Sequence, residues 1–539
     1  MTDRPRPFAR VLIANRGEIA VRIIRACREL GMASVAVYSD ADAAASHVRL
    51  ADEAVRIGPP APTESYLRID RIVEAALETG AEAIHPGYGF LAERAAFAKA
   101  CEDAGIVFVG PSSSSIEALG DKLAARRTAA EVGVPSVPGT LEPVPVDRPD
   151  AVEKIVERAA EIGFPVMVKA AAGGGGRGMR RVDRPEDLPA ALAAGSAEAA
   201  AAFGDGSVYI ERVIQPARHI EVQLLGDASG TVVALGERDC SIQRRHQKLV
   251  EEAPAPGLST DQRHRLHELA IRVAAAAGLR NAATCEFLFD GRREFYFLEV
   301  NTRLQVEHGV TELVSGLDIV HEQFWLAAGE PLSQRALAAA ERAATPTSHA
   351  IEARIAAEDP ARAFAPTPGR ISRWVMPAGP GIRVDTGIEA GDRVPPEYDN
   401  LIAKLMVHAA DRPAAIDRLR RSLDETEIGG IQTTVPFHRF VADDAAFGAG
   451  DLSTDFVGDR WDGQAHQARA VRVGLLAAAL DHFSGDAERD GPVSPGAGPA
   501  RGPGGEGRDG HDGRDRPLAD RPASWRVAAL AAGRDRWPR

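Results

Sequence analysis

The sequence predicts a multidomain chain of mixed α/β and α+β class. Three observations carry this. The chain has 539 residues, which at about 150 residues per domain implies three or four domains or two large ones. Its first 110 or so residues alternate strand-like and helix-like segments, the mark of βαβ units and a parallel sheet. Beyond Ser348 the pattern turns strand-rich. Net charge is −13, from 64 basic and 77 acidic residues, so a uniformly basic nucleic-acid binder is excluded. Aromatics are only 5%, so the core rests on Val, Ile, Leu and Ala. The cysteines Cys27, Cys101, Cys240 and Cys285 form no C-x-x-C and read as buried reduced thiols of a cytoplasmic protein. No apolar run approaches the roughly 20 residues of a membrane span.

In order, residues 8–14 are apolar and strand-like, and Asn15-Arg16-Gly17-Glu18 turns into a helix through about Leu30. Residues 33–38 form a second strand. Residues 65–79 form an amphipathic helix, with Ile69, Ile72, Val73, Ala76 and Leu77 on one face. Strands at 83–84 and 106–109 flank a helix at 91–104. A helical stretch then runs from Pro111 to about Val132. After a Pro/Val-rich connector come a strand at 165–170, a glycine loop at 173–178, a further strand and an Ala-rich helix. Strands are expected again at 208–213, 219–225, 231–238, 284–289 and 295–301. The third unit has strands at 350–355, 371–375 and 382–385 and a helix at 414–423. From about Ser484 to Pro522, Gly, Pro, Asp and Arg dominate, which predicts a linker unable to offset its ordering entropy.

Three segments carry chemistry. The run Gly173-Gly-Gly-Gly176-Arg-Gly178 follows a strand bearing Lys169. Glycines let backbone N–H groups approach an anion. The run lacks the G-K-[ST] of a Walker loop, so it reads as a flap over phosphates or as a plain turn. In Glu299-Val-Asn301-Thr-Arg303-Leu-Gln305, period-two spacing puts four polar side chains on one face if the strand stays regular. The preceding strand holds Glu286 in an apolar run. Two carboxylates and an amide oxygen suit Mg²⁺, although a salt-bridged surface sheet is the plainer alternative. The third segment, residues 237–248, is basic within an acidic chain and reads as a phosphate site or a solvated loop.

These segments together resemble the biotin carboxylase family, the ATP-grasp component of acyl-CoA carboxylases. The resemblance includes Ile13-Ala-Asn-Arg-Gly-Glu-Ile-Ala20, His85-Pro-Gly-Tyr-Gly-Phe-Leu91, Gly120-Asp-Lys122, Val250-Glu-Glu-Ala-Pro-Ala-Pro256 and Val394-Pro-Pro-Glu-Tyr-Asp399, and holds family order from about residue 8 to 460. It implies a Rossmann-like N-terminal domain (1–120), an ATP-grasp domain (121–330, with a mobile lid at about 139–206), a β-rich C-terminal domain (345–460) and a partly disordered tail (461–539). Lys122, Lys169, Gly174, Gly175, Gly176 and Gly178 are then phosphate-binding. Glu211, Val213 and neighbours form the adenine hinge, and His219, Gln243 and His246 are ribose and phosphate contacts. Glu286, Glu299 and Asn301 are Mg²⁺ (or Mn²⁺) ligands. Lys248, Arg303, Gln305 and Val306 form the bicarbonate pocket, Glu307 is the general base, and Arg354 faces the biotin ureido oxygen.

The implied activity is ATP-dependent carboxylation of biotin, the first half-reaction of an acyl-CoA carboxylase. The rivals are another ATP-grasp carboxylate ligase and a non-catalytic nucleotide-binding assembly subunit. The last lysine is Lys404, so the biotinyl carrier is expected on another chain or lost by truncation. A carboxyltransferase partner and a homodimer are expected, with neither nucleic acid nor membrane. Gly309 stands where the family usually has proline, which predicts a looser turn beside Glu307. Ala356 replaces a residue that is commonly polar or aromatic.

Overall fold

The computed structural model describes residues 6–171, 179–291 and 294–489. Five parallel strands open the chain: β1 (Arg10–Ile13), β2 (Ala33–Ser39), β3 (Glu53–Gly58), β4 (Ala83–His85) and β5 (Val107–Phe108), in spatial order β3-β2-β1-β4-β5. Alternate residues of β1 explain the layering. Val11 and Ile13 join one apolar cluster and Leu12 the other, so both faces are covered. The expected helices occur at Gly17–Glu29, Ile69–Thr79 and Ala95–Asp103. The stretch from Pro111 to Val132 is two helices, Ser113–Gly120 and Lys122–Glu131. The break falls at Asp121, whose side chain accepts from the Ala124 N–H at 2.6 Å and caps the second helix.

A small antiparallel unit follows, β6 (Val166–Ala170), β7 (Arg180–Val182) and β8 (Val208–Arg212), ordered β7-β6-β8 and backed by helices Pro149–Ile162 and Leu188–Phe203. Gly174, Gly175, Gly176 and Gly178 lie outside the described residues, between β6 and β7.

The centre of the molecule is one antiparallel sheet of eight strands. They are β9 (Arg218–Gly226), β10 (Val232–Arg244), β11 (Gln247–Ala253), β12 (Asn281–Phe289), β13 (Phe295–Asn301), β14 (His349–Ala356), β15 (Ile382–Thr386) and β16 (Leu401–Ala409). Their order is β13-β12-β9-β10-β11-β14-β16-β15. One face is apolar: Ile220, Val222 and Leu224 of β9 pack with Phe287 of β12. Farther along the sheet, Ile351, Ala353 and Ile355 of β14 pack with Leu405 and Val407 of β16. The opposite face carries His219, Glu221, Glu286 and Arg354, all largely buried.

Two expectations are corrected here. Residues 237–248 are not a loop, because β10 runs on to Arg244 and pairs with β11. The two-residue connection, Arg245-His246, has φ of 50° and 67°, the left-handed geometry that a tight hairpin demands and that non-glycine residues resist. The linker expected from Ser484 does not begin there, since helix Gly463–Arg489 continues past it. The remainder of that tail lies outside the described residues.

Candidate active site

Register on the polar face of the sheet builds the site. Glu299 of β13 lies opposite Glu286 of β12, Glu286 opposite Glu221 of β9, and Glu221 opposite Arg238 of β10. A row of three carboxylates therefore crosses the sheet, and it is matched by cations. Lys122, the first residue of its helix, reaches Glu299 at 2.9 Å. Lys248 of β11 donates to Glu221 at 2.5 Å, Glu307 at 2.7 Å and Glu286 at 2.9 Å. Arg238, fully buried, donates to Glu221 at 2.5 Å. Burial alone would push these carboxyl groups up. Lys248 and His219 overcome that for Glu286 and hold it at about 2. Glu221 is likewise held well below the usual range, by Lys248 and Arg238 against burial. Burial opposes a charge on His219, yet Glu286, 3.2 Å away, raises it to about 9.

β13 ends at Asn301, as expected, so the condition under which Arg303 and Gln305 would share its face is not met. The chain turns there, and side-chain hydrogen bonds rather than strand periodicity gather the residues. Asn301 donates to Glu286 at 2.9 Å, Arg303 donates to Gln305 at 2.8 Å and to Asn301 at 3.2 Å, and Gln305 donates to Glu286 at 3.3 Å. Arg303 also reaches Glu93 in the N-terminal segment at 2.8 Å. The Val306 carbonyl accepts from Lys404 at 2.9 Å.

Glu307, fully buried, sits immediately before helix His308–Ser315. Its two oxygens face different cations, Lys248 at 2.7 Å and Arg354 Nη2 at 2.9 Å. Arg354 Nε donates to Glu251 at 2.5 Å. The Arg354 backbone carbonyl is held by Thr434 at 2.7 Å and by His438 at 2.6 Å.

In the separate three-stranded sheet, Lys169 of β6 and the nearby Arg126 both contact Glu211 of β8, so the Glu211 side chain is turned inward. The Val213 N–H is engaged by the Pro165 carbonyl at 2.9 Å. Gln243 pairs with Lys248 across the hairpin, whose tip presents His246. Glu286, Glu299 and Asn301 supply hard oxygen donors on facing strands, a set that fits Mg²⁺ or Mn²⁺.

Gly309 corrects another expectation. It lies in the first turn of helix His308–Ser315, buried, and a Cβ there would overlap the Met406 sulfur. The space is filled, so the turn is packed rather than loose. Ala356 is buried with its N–H on Thr434 Oγ1 at 2.9 Å.

Sequence reasoning assigned no role to Glu221, Arg238, Glu251, Glu352 and Lys404. The signal for Glu221 was present, since His219, Glu221 and Gln223 alternate with apolar residues, just as Glu286 stands alone in its own apolar run. Lys404, fully buried, lies near Glu18 at 3.3 Å and Asp385 at 3.7 Å. It ties the N-terminal helix and β15 to the peptide preceding Glu307.

Three family profiles cover most of the chain: "Biotin carboxylase, N-terminal domain" at residues 7–116, "Carbamoyl-phosphate synthase L chain, ATP binding domain" at 121–335, and "Biotin carboxylase C-terminal domain" at 352–459. A biotin carboxylase of Nostoc sp. is 50% identical over 450 residues, covering 84% of this chain and 98% of that protein. Biotin carboxylase 1 of Bacillus subtilis is 48% identical over 449 residues, covering 83% and 98%. Among solved structures, the biotin carboxylase domain dimer of Hydrogenobacter thermophilus 2-oxoglutarate carboxylase, in complex with MgADP, ADP and bicarbonate, superposes with a TM-score of 0.79 at 46% identity, covering 84% of this chain and 97% of that one. A Campylobacter jejuni biotin carboxylase in a β-γ-ATP complex gives 0.80 at 44% identity, covering 84% and 99%.

Proposed function

Because the chain belongs to the biotin carboxylase family, an ATP-dependent ligase family, we propose that the polar face of the eight-stranded sheet carboxylates biotin with bicarbonate through carboxyphosphate. The observation that carries this reading is Glu307, placed between Lys248 and Arg354 at the end of the carboxylate row.

In this reading Lys248, Arg303, Gln305 and the Val306 backbone hold bicarbonate, and Glu307 takes its proton. The oxygen so freed attacks the γ-phosphorus of ATP, and ADP leaves. Lys122 and Lys169 offset charge on the transferring phosphoryl group, aided by the glycine loop and the His219, Gln243 and His246 group. Glu286, Glu299 and Asn301 would hold Mg²⁺ or Mn²⁺, which draws charge from the nucleotide phosphates. Carboxyphosphate breaks to CO₂ and phosphate. Phosphate takes the N1′ proton of biotin, whose nitrogen then bonds to CO₂. Arg354 stabilises the ureido oxygen, since a guanidinium stays protonated. The β6–β8 unit covers the nucleotide and excludes water.

The same reading assigns the biotin to a carrier protein or domain on another chain and passes the carboxyl group to a carboxyltransferase subunit of an acyl-CoA carboxylase. The Hydrogenobacter dimer supports a homodimer, and the four buried free thiols support a cytoplasmic setting. Among the described residues no helix is long and apolar enough to cross a membrane.

The test is ADP formation that needs bicarbonate and rises with free biotin. Stimulation by ammonia or an amino acid instead of biotin would favour another ATP-grasp ligase. Tight ATP binding with no ADP formed would favour an assembly subunit.

A further inference from the structure

Glu251 of β11 and Glu352 of β14 are directly opposite each other in register. Antiparallel partners on one face bring their Cβ atoms to about 5 Å. Both residues are fully buried. Only one of the four carboxyl oxygens has a hydrogen-bond donor, Glu251 Oε1, which accepts from Arg354 Nε at 2.5 Å. Glu251 Oε2 and both oxygens of Glu352 meet none.

The charged and titratable groups facing the pair are Arg354 on β14, Glu307 before its helix, Lys248 on β11, Cys240 on β10 and Lys404 on β16. The two lysines among them make their hydrogen bonds and ion pairs elsewhere. Lys248 serves Glu221, Glu286 and Glu307. Lys404 serves the Val306 carbonyl, Glu18 and Asp385. Two ionised carboxylates face to face, sealed from water and with a guanidinium bonded to only one of them, repel strongly. One proton placed between them removes the repulsion and gives the free oxygens a donor.

We propose that Glu352 is a neutral carboxylic acid whose O–H donates to the Glu251 carboxylate, and that the pair is a positioning device for Arg354. This rests on the assigned biotin carboxylation. Burial raises Glu352 well above the usual carboxyl range; it also raises Glu251, to about 7, with Arg354 pulling the other way. Arg354 thus has two unequal anchors. Glu307 loses its charge when it takes the bicarbonate proton, and its hold on Nη2 weakens. Glu251 keeps its charge and its hold on Nε. The guanidinium then turns about Glu251, with Nη2 free for the ureido oxygen. Glu352, by occupying the second oxygen of Glu251, fixes the plane in which that turn occurs.

Two channels test this in the full chain. Infrared spectra of the unliganded protein at pH 7.5 should contain the C=O stretch of a buried protonated carboxyl that is missing in Glu352→Gln. A wild-type spectrum without that band, or a variant that keeps it, overturns the proposal. In the kinetic channel, Glu352→Gln replaces the O–H donor with an N–H and should keep kcat/KM for free biotin within about threefold. Glu352→Ala leaves Glu251 without a donor and should lose tenfold or more, chiefly as a raised KM for biotin. Equal defects in the two variants overturn the proposal. The infrared result decides even where Glu352→Ala does not fold. It also requires no turnover, so a wild-type protein that forms no ADP with bicarbonate and biotin sinks the assigned activity through a separate measurement.

Discussion

The two ends of the polar face lie at the same depth in one sheet, yet they treat their carboxyl groups in opposite ways. At the nucleotide end, Glu286 and Glu221 are matched by Lys248, His219 and Arg238 and are held ionised far below the usual range. At the other end, Arg354 donates to Glu251 alone, Glu352 meets no donor, and burial lifts both. Burial is common to the two ends, so the count of uncommitted cations decides the protonation state. In the proposed reading, the nucleotide end needs anions ready for a metal ion and beside phosphate-binding lysines. The far end needs one fixed cation and no surplus negative charge around it.

The most damaging way to break the contrast is at its midpoint. Glu307→Gln should keep ATP binding and lose biotin carboxylation on the order of 10³-fold, read as ADP release against biotin; full activity would remove Glu307 as the base. A smaller loss is expected at the nucleotide end. Glu286→Gln should reduce kcat about 100-fold and raise the Mg²⁺ concentration needed for half-maximal rate. An unchanged Mg²⁺ dependence would take Glu286 out of the metal set.

Folding stability sharpens the contrast through pH. Glu312, on helix His308–Ser315, pairs with Arg22 at 3.0 Å and Arg383 at 2.6 Å. Burial would raise it, but Arg22, His308 and Arg383 hold it at about 2. Its unfolded value is near 4.5. The folded state therefore binds fewer protons than the unfolded one, and the stabilisation, about 3 kcal/mol, is present above pH 4.5 and lost as pH falls towards 2. Glu312→Gln should be less stable at pH 7 and converge on wild type in acid, in denaturant unfolding at several pH values. Glu352 has the opposite sign. The folded state keeps its proton while the unfolded state releases it, so stability falls as pH rises above 4.5. Glu352→Gln should flatten that alkaline limb; an unchanged limb would show that the proton is held elsewhere. The smallest effect belongs to the packing around Glu307. Gly309→Ala should cost about 1–3 kcal/mol by overpacking, and that added cost should largely vanish when it is made in a Met406→Ala chain. A fully tolerated Gly309→Ala would mean that the Met406 sulfur moves aside freely.

Much of this was legible in the sequence for a physical reason. β1, β2 and β9 are apolar runs or alternations, and Glu286 stands out in its strand because a lone acid in an apolar run needs a partner. β3 was missed because Glu53-Ala-Val-Arg-Ile-Gly58 pairs at a sheet edge and carries charge on its exposed face. β11 was missed because Lys248, Glu251 and Glu252 look like a solvated loop, whereas all three are largely buried, Lys248 and Glu251 on the polar face and Glu252 against His349 and Arg412. The grouping of Glu307 with Lys248 and Arg354 spans 59 and 47 residues of chain. No spacing rule reaches that far, and only the resemblance to a family suggested it. The return of Arg303 and Gln305 to the site depends on a turn, which strand periodicity does not describe.

The eight-stranded sheet joins the segment that matches the ATP-binding profile to the segment that matches the C-terminal profile through the β11–β14 ladder. A continuous hydrogen-bonded plate does not crease along its middle without tearing backbone bonds. The span between Glu286 at one end and Arg354 at the other is therefore fixed like two holes drilled in one board. In the proposed reading, opening and closing falls to the separate three-stranded sheet β7-β6-β8, so nucleotide exchange leaves the drilled distance untouched.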